Sequence, residues 1–148
     1  MRSKYGIEFD FLIFSCLMLL SCIIIFTVGY LMQRNERFNT MQYLVSTVGS
    51  TAMVYDVQTG MAENNSIYLS KFVDGGIMKM PINPFDTTGY CDVDKSYVYK
   101  KKDIYYVTLK CGDYNVKDYA YHNSDKMTIY KENSLGEVPI KILNVKGE

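Results

Sequence analysis

The chain is poor in the residues that most enzyme chemistry uses. It holds one histidine, His122, and four cysteines in 148 residues. A single histidine leaves no hydrolase triad legible by motif. The chain also shows no P-loop, no dinucleotide-binding glycine pattern and no metalloprotease helix. It is therefore read as a non-enzyme that needs no cofactor. A surplus of one charge is missing too, because 16 Lys and Arg stand against 16 Asp and Glu. Holding nucleic acid by its phosphates requires a basic excess, so no nucleic-acid partner is expected. The one basic cluster, "KKKD" at residues 100–103, reads as a solvated hairpin turn. Asp92 and Asp94 in "CDVDKS" suggest a fragment of a calcium loop, but the other EF-hand ligands are absent, and the pair reads as a turn.

Charge is absent in another way between residues 11 and 33, "FLIFSCLMLLSCIIIFTVGYLMQ". As a helix this stretch reaches roughly 34 Å, enough to cross a hydrocarbon core of about 30 Å. A buried core helix would carry a polar stripe, whereas Ser15, Ser21, Thr27 and Tyr30 are scattered around an apolar cylinder. A cleaved secretory signal would have a shorter apolar region and a small-residue cleavage site. Residues 11–33 are thus predicted to be a transmembrane helix, preceded by a short cytoplasmic leader, residues 1–10.

Beyond Arg34 the apolar residues become periodic. Phe38, Met41, Val45, Val48, Ala52 and Tyr55 recur by threes and fours, which keeps them on one side of a helix. Asn35, Asn39, Gln42, Ser46 and Ser50 fall on the other side. The spacing predicts an amphipathic continuation over residues 34–60 within one helix running from about residue 8 to about residue 58. A coiled-coil seam has the same spacing, but fewer than three heptads containing Ala and Tyr make a weak zipper. An intramolecular sheet is the preferred partner. Gly49 is a weak point in the rod, and Gly60 is the expected stop.

From residue 61 to 148 the chain reads as a β-rich domain, with Tyr, Ile, Val and Thr in short runs between turn residues. "SIYLSKF" suits a short helix or a strand. Residues 74–90 form a loop, because Gly75 and Gly76 permit positive φ while Pro81 and Pro84 interrupt pairing. "KSYVYKKKDIYYVTLKC" reads as a hairpin whose second arm puts Tyr105, Val107, Leu109 and Cys111 on one face. "MTIYK" and "VPIKILNV" are further strands, with Pro139 tolerable near a strand start or on an edge. The fold class is α+β: a long N-terminal helix packed on a small antiparallel sheet. Tyr90, Tyr97, Tyr99, Tyr105, Tyr106, Tyr114, Tyr119, Tyr121 and Tyr130 crowd this part. Strand propensity explains them, and an aromatic platform for carbohydrate or a partner is the sharper alternative.

Cys16 and Cys22 lie in the apolar run and read as small apolar residues. Cys91 and Cys111 flank the hairpin. With His122 they cannot fill a four-ligand zinc site, and no CxxC pair exists. If this domain lies outside the cytoplasm, a Cys91–Cys111 disulfide follows, closing a loop of about 20 residues and contributing about 3 kcal/mol. Inside, both are free thiols.

A basic leader "MRSKYG", a helix that is apolar and then amphipathic, and a small sheet with two cysteines together resemble type IV pilins and type II secretion pseudopilins. Residues 83–114, "NPFDTTGYCDVDKSYVYKKKDIYYVTLKCGDY", are similar to the globular region of small pilin-like proteins of Gram-positive bacteria. There an Asn-Pro or Asp-Pro turn precedes a "SYV" strand and a Cys-x-x-Tyr strand end. The resemblance implies a structural, pilin-like subunit, major or minor, of a pilus, competence or secretion-like filament. Its partners would be the membrane, other such subunits and a prepilin peptidase. Cleavage would follow Gly6 and leave Ile7 first. The family's glutamate at the fifth mature position is replaced by Phe11, with Glu8 and Asp10 nearby, so Glu8, Asp10 and Phe11 are the expected assembly residues. Two function classes remain: a filament subunit, or a single-pass signal-anchored protein presenting an extracytoplasmic binding or accessory domain. Arg2 and Lys4 before the span tie with Arg34 and Arg37 after it. An inside N-terminus and an outside domain therefore follow from the resemblance and the disulfide, not from charge.

Overall fold

A computed structural model describes residues 4–86 and 88–145, with side chains from residue 10 onward. The fold is α+β, as expected. Its first element is one helix, α1 (Lys4–Thr59), followed by β1 (Ser66–Tyr68) and a short α2 (Leu69–Asp74). Five longer strands follow: β2 (Tyr97–Lys101), β3 (Ile104–Cys111), β4 (Tyr114–Ala120), β5 (Lys126–Asn133) and β6 (Gly136–Asn144). All six strands form one antiparallel meander in sequence order. The chain divides into two compact units, Met1–Glu36 and Arg37–Glu148. The second is called the head below.

In the head, the predicted stripe is the core. Phe38, Met41, Val45, Val48 and Ala52 are buried together with Val98, Val107, Leu109, Val116 and Ile129 from the sheet. Tyr55 is half-buried, its ring 5.2 Å from that of Phe72 on α2. Burying each of the larger of these apolar side chains contributes about 1.5–3 kcal/mol. The helix stops where the glycine stands. Gly60 takes φ +73°, and its N–H donates to the Asp56 carbonyl at 2.8 Å.

Three local readings change. "SIYLSKF" is both alternatives in succession, strand to Tyr68 and helix from Leu69. The strand β4, "YNVKDYA", escaped prediction because its alternation is broken. The β3–β4 register shifts between Val107 and Leu109, and Asp118 sits at φ +44° beside that bulge. The third change concerns the basic cluster. Lys102 and Asp103 have φ of +51° and +61°, the geometry of a two-residue hairpin turn, but Lys100 points inward with only 18% of its side chain exposed. Pro139 lies on β6, an edge strand, opposite Tyr130 and next to a register shift in β5–β6, where no ladder donor is lost from the sheet interior.

Gly49 is a packing residue rather than a flaw. A Cβ there would lie 2.5 Å from two atoms of the Tyr121 ring, including Cγ at its base. The ring base cannot swing aside without changing χ1. We therefore expect Gly49→Ala to destabilise the head by about 1–3 kcal/mol despite Ala's better helix propensity. Thermal unfolding of the full chain in micelles checks this, and a variant melting above the wild type would contradict the packing. Conversely, Lys102→Asn with Asp103→Gly relieves two left-handed non-glycine residues at the β2–β3 turn. That pair should raise stability by about 1 kcal/mol in the same assay.

Candidate functional site

The first candidate is the apolar segment itself. Among the described residues, α1 is the one helix long and apolar enough to cross a membrane, and its first half fits a transmembrane helix. Its large side chains from Phe11 to Met32 are exposed all round, with Phe11 itself 73% exposed. The few polar groups are turned back on the helix. The Ser21 hydroxyl donates to the Met18 carbonyl at 2.8 Å, and Thr27 bonds the carbonyls of Ile23 and Ile24, both at 2.9 Å. Such i−3 and i−4 bonds satisfy hydroxyls without water, as hydrocarbon demands. Cys16 and Cys22 are exposed free thiols.

The expected processing and assembly residues lie at the start of this helix. Gly6, Ile7 and Glu8 fall in its helical backbone, with side chains outside the described residues. Asp10 and Phe11 are exposed. Nothing described in the first unit covers Phe11, so that ring is available to lipid or to a neighbouring helix.

In the head, Cys91 and Cys111 form a disulfide. It ties the end of β3 to the long loop before β2, which is also strung along β3 by a bond from Asp92 N–H to the Lys110 carbonyl at 2.8 Å. Aromatic rings hold the same loop to the rest of the head. Phe85 stacks on Tyr114 of β4 at 3.7 Å and meets Phe38 of α1 edge-on at 5.6 Å. Lys131 lies over Tyr114 and Lys141 over Phe38. These contacts were invisible in the sequence because Phe85 sits in a Pro- and Asp-rich loop with no periodicity.

A second missed group joins the C-terminal end of α1 to the β2–β3 hairpin. Asp56 accepts three hydrogen bonds: from Lys100 Nζ at 2.8 Å, from the Tyr105 hydroxyl at 2.6 Å and from the Met61 N–H at 2.5 Å. Its side chain is 10% exposed. The Lys100 bond foremost, then those from Tyr105 and Met61, pulls its pKa from 3.8 down to about 2. Lys100 is pushed up by the same contact and by Asp103, 3.3 Å away. Tyr105 is raised by burial and by its bond to the carboxylate. The cluster ties the end of α1 to the β2–β3 hairpin. The signal in the sequence was only a lone acid just ahead of a helix-ending glycine.

The tyrosine-rich outer face of the sheet is a row of rings packed on each other. Tyr99 and Tyr106 stack at 5.0 Å with planes 9° apart, and Tyr97 lies 6.5 Å from Tyr99 and 6.1 Å from Tyr68. Cross-strand packing of this kind accounts for the crowding of tyrosines here. Among the described residues no three His, Cys, Asp or Glu are grouped to hold a metal ion.

Asp56→Asn keeps the acceptor for Met61 but discards the charge pair. It should cost about 2 kcal/mol at neutral pH. A carboxylate whose folded pKa lies below its unfolded one contributes stability that is complete above the unfolded value and fades as pH falls. The wild-type advantage over Asp56→Asn should therefore persist above pH 4 and close as pH drops toward about 2. Urea melts of both proteins across that range measure it, and a gap independent of pH would exclude the ionised pair as the cause.

Compared with known proteins, the chain matches no family model, no curated protein and no solved structure.

Proposed function

We propose that the protein is a pilin-like, single-pass membrane subunit whose head lies outside the cytoplasm and which packs laterally with similar subunits. The observation that carries this reading is the double use of α1 (Lys4–Thr59). One stretch is apolar and exposed all round, while the other spends its apolar stripe on the chain's own sheet. A helix satisfied within its own head cannot use that stripe for a partner. Among the described residues, the continuous apolar surface left on α1 runs from Phe11 to Met32, which suits lipid first and neighbouring helices second. The Cys91–Cys111 disulfide supports an oxidising compartment for the head. The role is structural, with a prepilin peptidase as the processing partner.

The non-polymerising anchor is the second reading, and one residue favours it. Phe11 stands where the filament family carries glutamate, and an apolar ring offers no countercharge to a neighbouring amino terminus. Glu8 and Asp10 are the carboxylates placed to substitute.

The two readings separate by processing. For a filament subunit, intact-mass measurement of the protein from cells with the matching peptidase should give a chain beginning at Ile7. Gly6→Leu should leave the precursor uncut and abolish assembly. A precursor-length chain in those cells, with wild-type surface display by Gly6→Leu, would replace the filament reading with the anchor.

A further inference from the structure

We propose that the cleft between α1 and the β4–β5 loop binds a neutral carbohydrate. The cleft measures about 770 Å³ and lies wholly within the head. That size falls in the range of small-ligand sites, roughly 300–1,000 Å³. One wall is the polar face of α1, with the amides of Asn39 and Gln42 and the hydroxyls of Ser46 and Thr47. A polar helix face alone is merely solvated. The opposite wall is what distinguishes this one, because it is lined by Tyr121 and His122 with the edge of the buried Tyr119, while Tyr43 stands 69% exposed on α1 at the rim.

A sugar ring has the matching duality. Its C–H faces pack on aromatic rings, and its hydroxyls pair with amides and carboxylates. Charge narrows the class further. Among the described residues no Lys or Arg lines the cleft, and the carboxylate among them is Asp125. The Asp125 carboxylate would repel an anionic ligand, whereas a neutral one would find in it a strong acceptor for its hydroxyls.

The walls are also held in place before any ligand arrives. Tyr121 leans on Gly49, where a side chain would collide with it, and its ring centroid lies 4.0 Å from that of His122. The Tyr119 hydroxyl donates to the Ser124 carbonyl at 3.3 Å, and Thr47 donates to the Tyr43 carbonyl at 2.9 Å. These hydroxyls thereby keep their lone pairs as acceptors. Fixed groups of this kind lower the ordering cost of binding. The cleft belongs to the head alone and does not depend on whether the protein polymerises.

The test uses the full chain in lipid nanodiscs, since sugar-headed detergents would compete. Neutral trisaccharides of glucose, N-acetylglucosamine, mannose and galactose, and anionic trigalacturonate, are titrated separately while amide and tyrosine NMR signals are followed. At least one neutral trisaccharide should bind with Kd on the order of 1 mM, shifting Gln42, Tyr43, Tyr121 and Asp125. Gln42→Ala and Tyr43→Ala should each weaken binding about tenfold without moving the melting temperature. Tyr43 is mostly exposed, so its removal leaves the core intact. Three results would each overturn the proposal: no shift from any neutral trisaccharide up to about 20 mM, equal binding of trigalacturonate, or unchanged affinity in both variants.

Discussion

A backbone that leaves water must satisfy its own hydrogen bonds, and the uncharged segment of α1 is suited to meet this constraint. Over the uncharged segment a helix does so without help from any neighbour, and Ser21 and Thr27 obey the same rule by bonding carbonyls one turn back. Once the chain passes Arg34 the requirement is relaxed, yet the helix does not end. It continues because its next residues have a different reason to stay helical. Phe38, Met41, Val45, Val48 and Ala52 cover the sheet only at helical spacing. One element therefore carries two apolar patterns in turn, first the segment long and apolar enough to cross a membrane and then the stripe that covers the sheet.

The head depends on that second use of α1. Its sheet is a meander whose inner face would be bare without the helix, and its long loop before β2 has little regular pairing of its own. The loop is fixed instead by three unlike attachments: the disulfide to Cys111, Phe85 between Phe38 and Tyr114, and the main-chain bond to Lys110. At the other end of the head-borne helix, Asp56 draws Lys100 and Tyr105 onto the helix terminus. Apolar burial sets which faces meet, and these polar and aromatic ties set the register in which they meet.

Periodic features were legible in the sequence, and features made by contact between distant residues were not. The apolar span, the stripe from Phe38 to Ala52, the β2–β3 hairpin and the stop at Gly60 all follow from local composition. The inward turn of Lys100 could not be read, because its partner Asp56 is 44 residues away and a run of three lysines ordinarily faces water. β4 was missed since its bulge at Asp118 breaks the alternation by which strands are recognised. Gly49 was misjudged for a related reason. Its cost to an isolated helix is a local quantity, whereas its value comes from Tyr121, which arrives from the far side of the sheet's fourth strand.

That glycine links the packing of the head to the chemistry of its surface. A larger residue at position 49 would push Tyr121 away from α1, and Tyr121 forms part of the aromatic wall of the polar cleft. The same small residue thus lets the helix approach the β4–β5 loop and fixes a ring that lines the cleft together with Gln42 and Ser46. Cleft geometry and core packing are consequently not independent. Tyr43 differs, because it is exposed and reaches the cleft from the helix alone. Substituting Tyr43 tests the surface without the core, whereas substituting Gly49 alters both at once, and only the former isolates what the cleft holds.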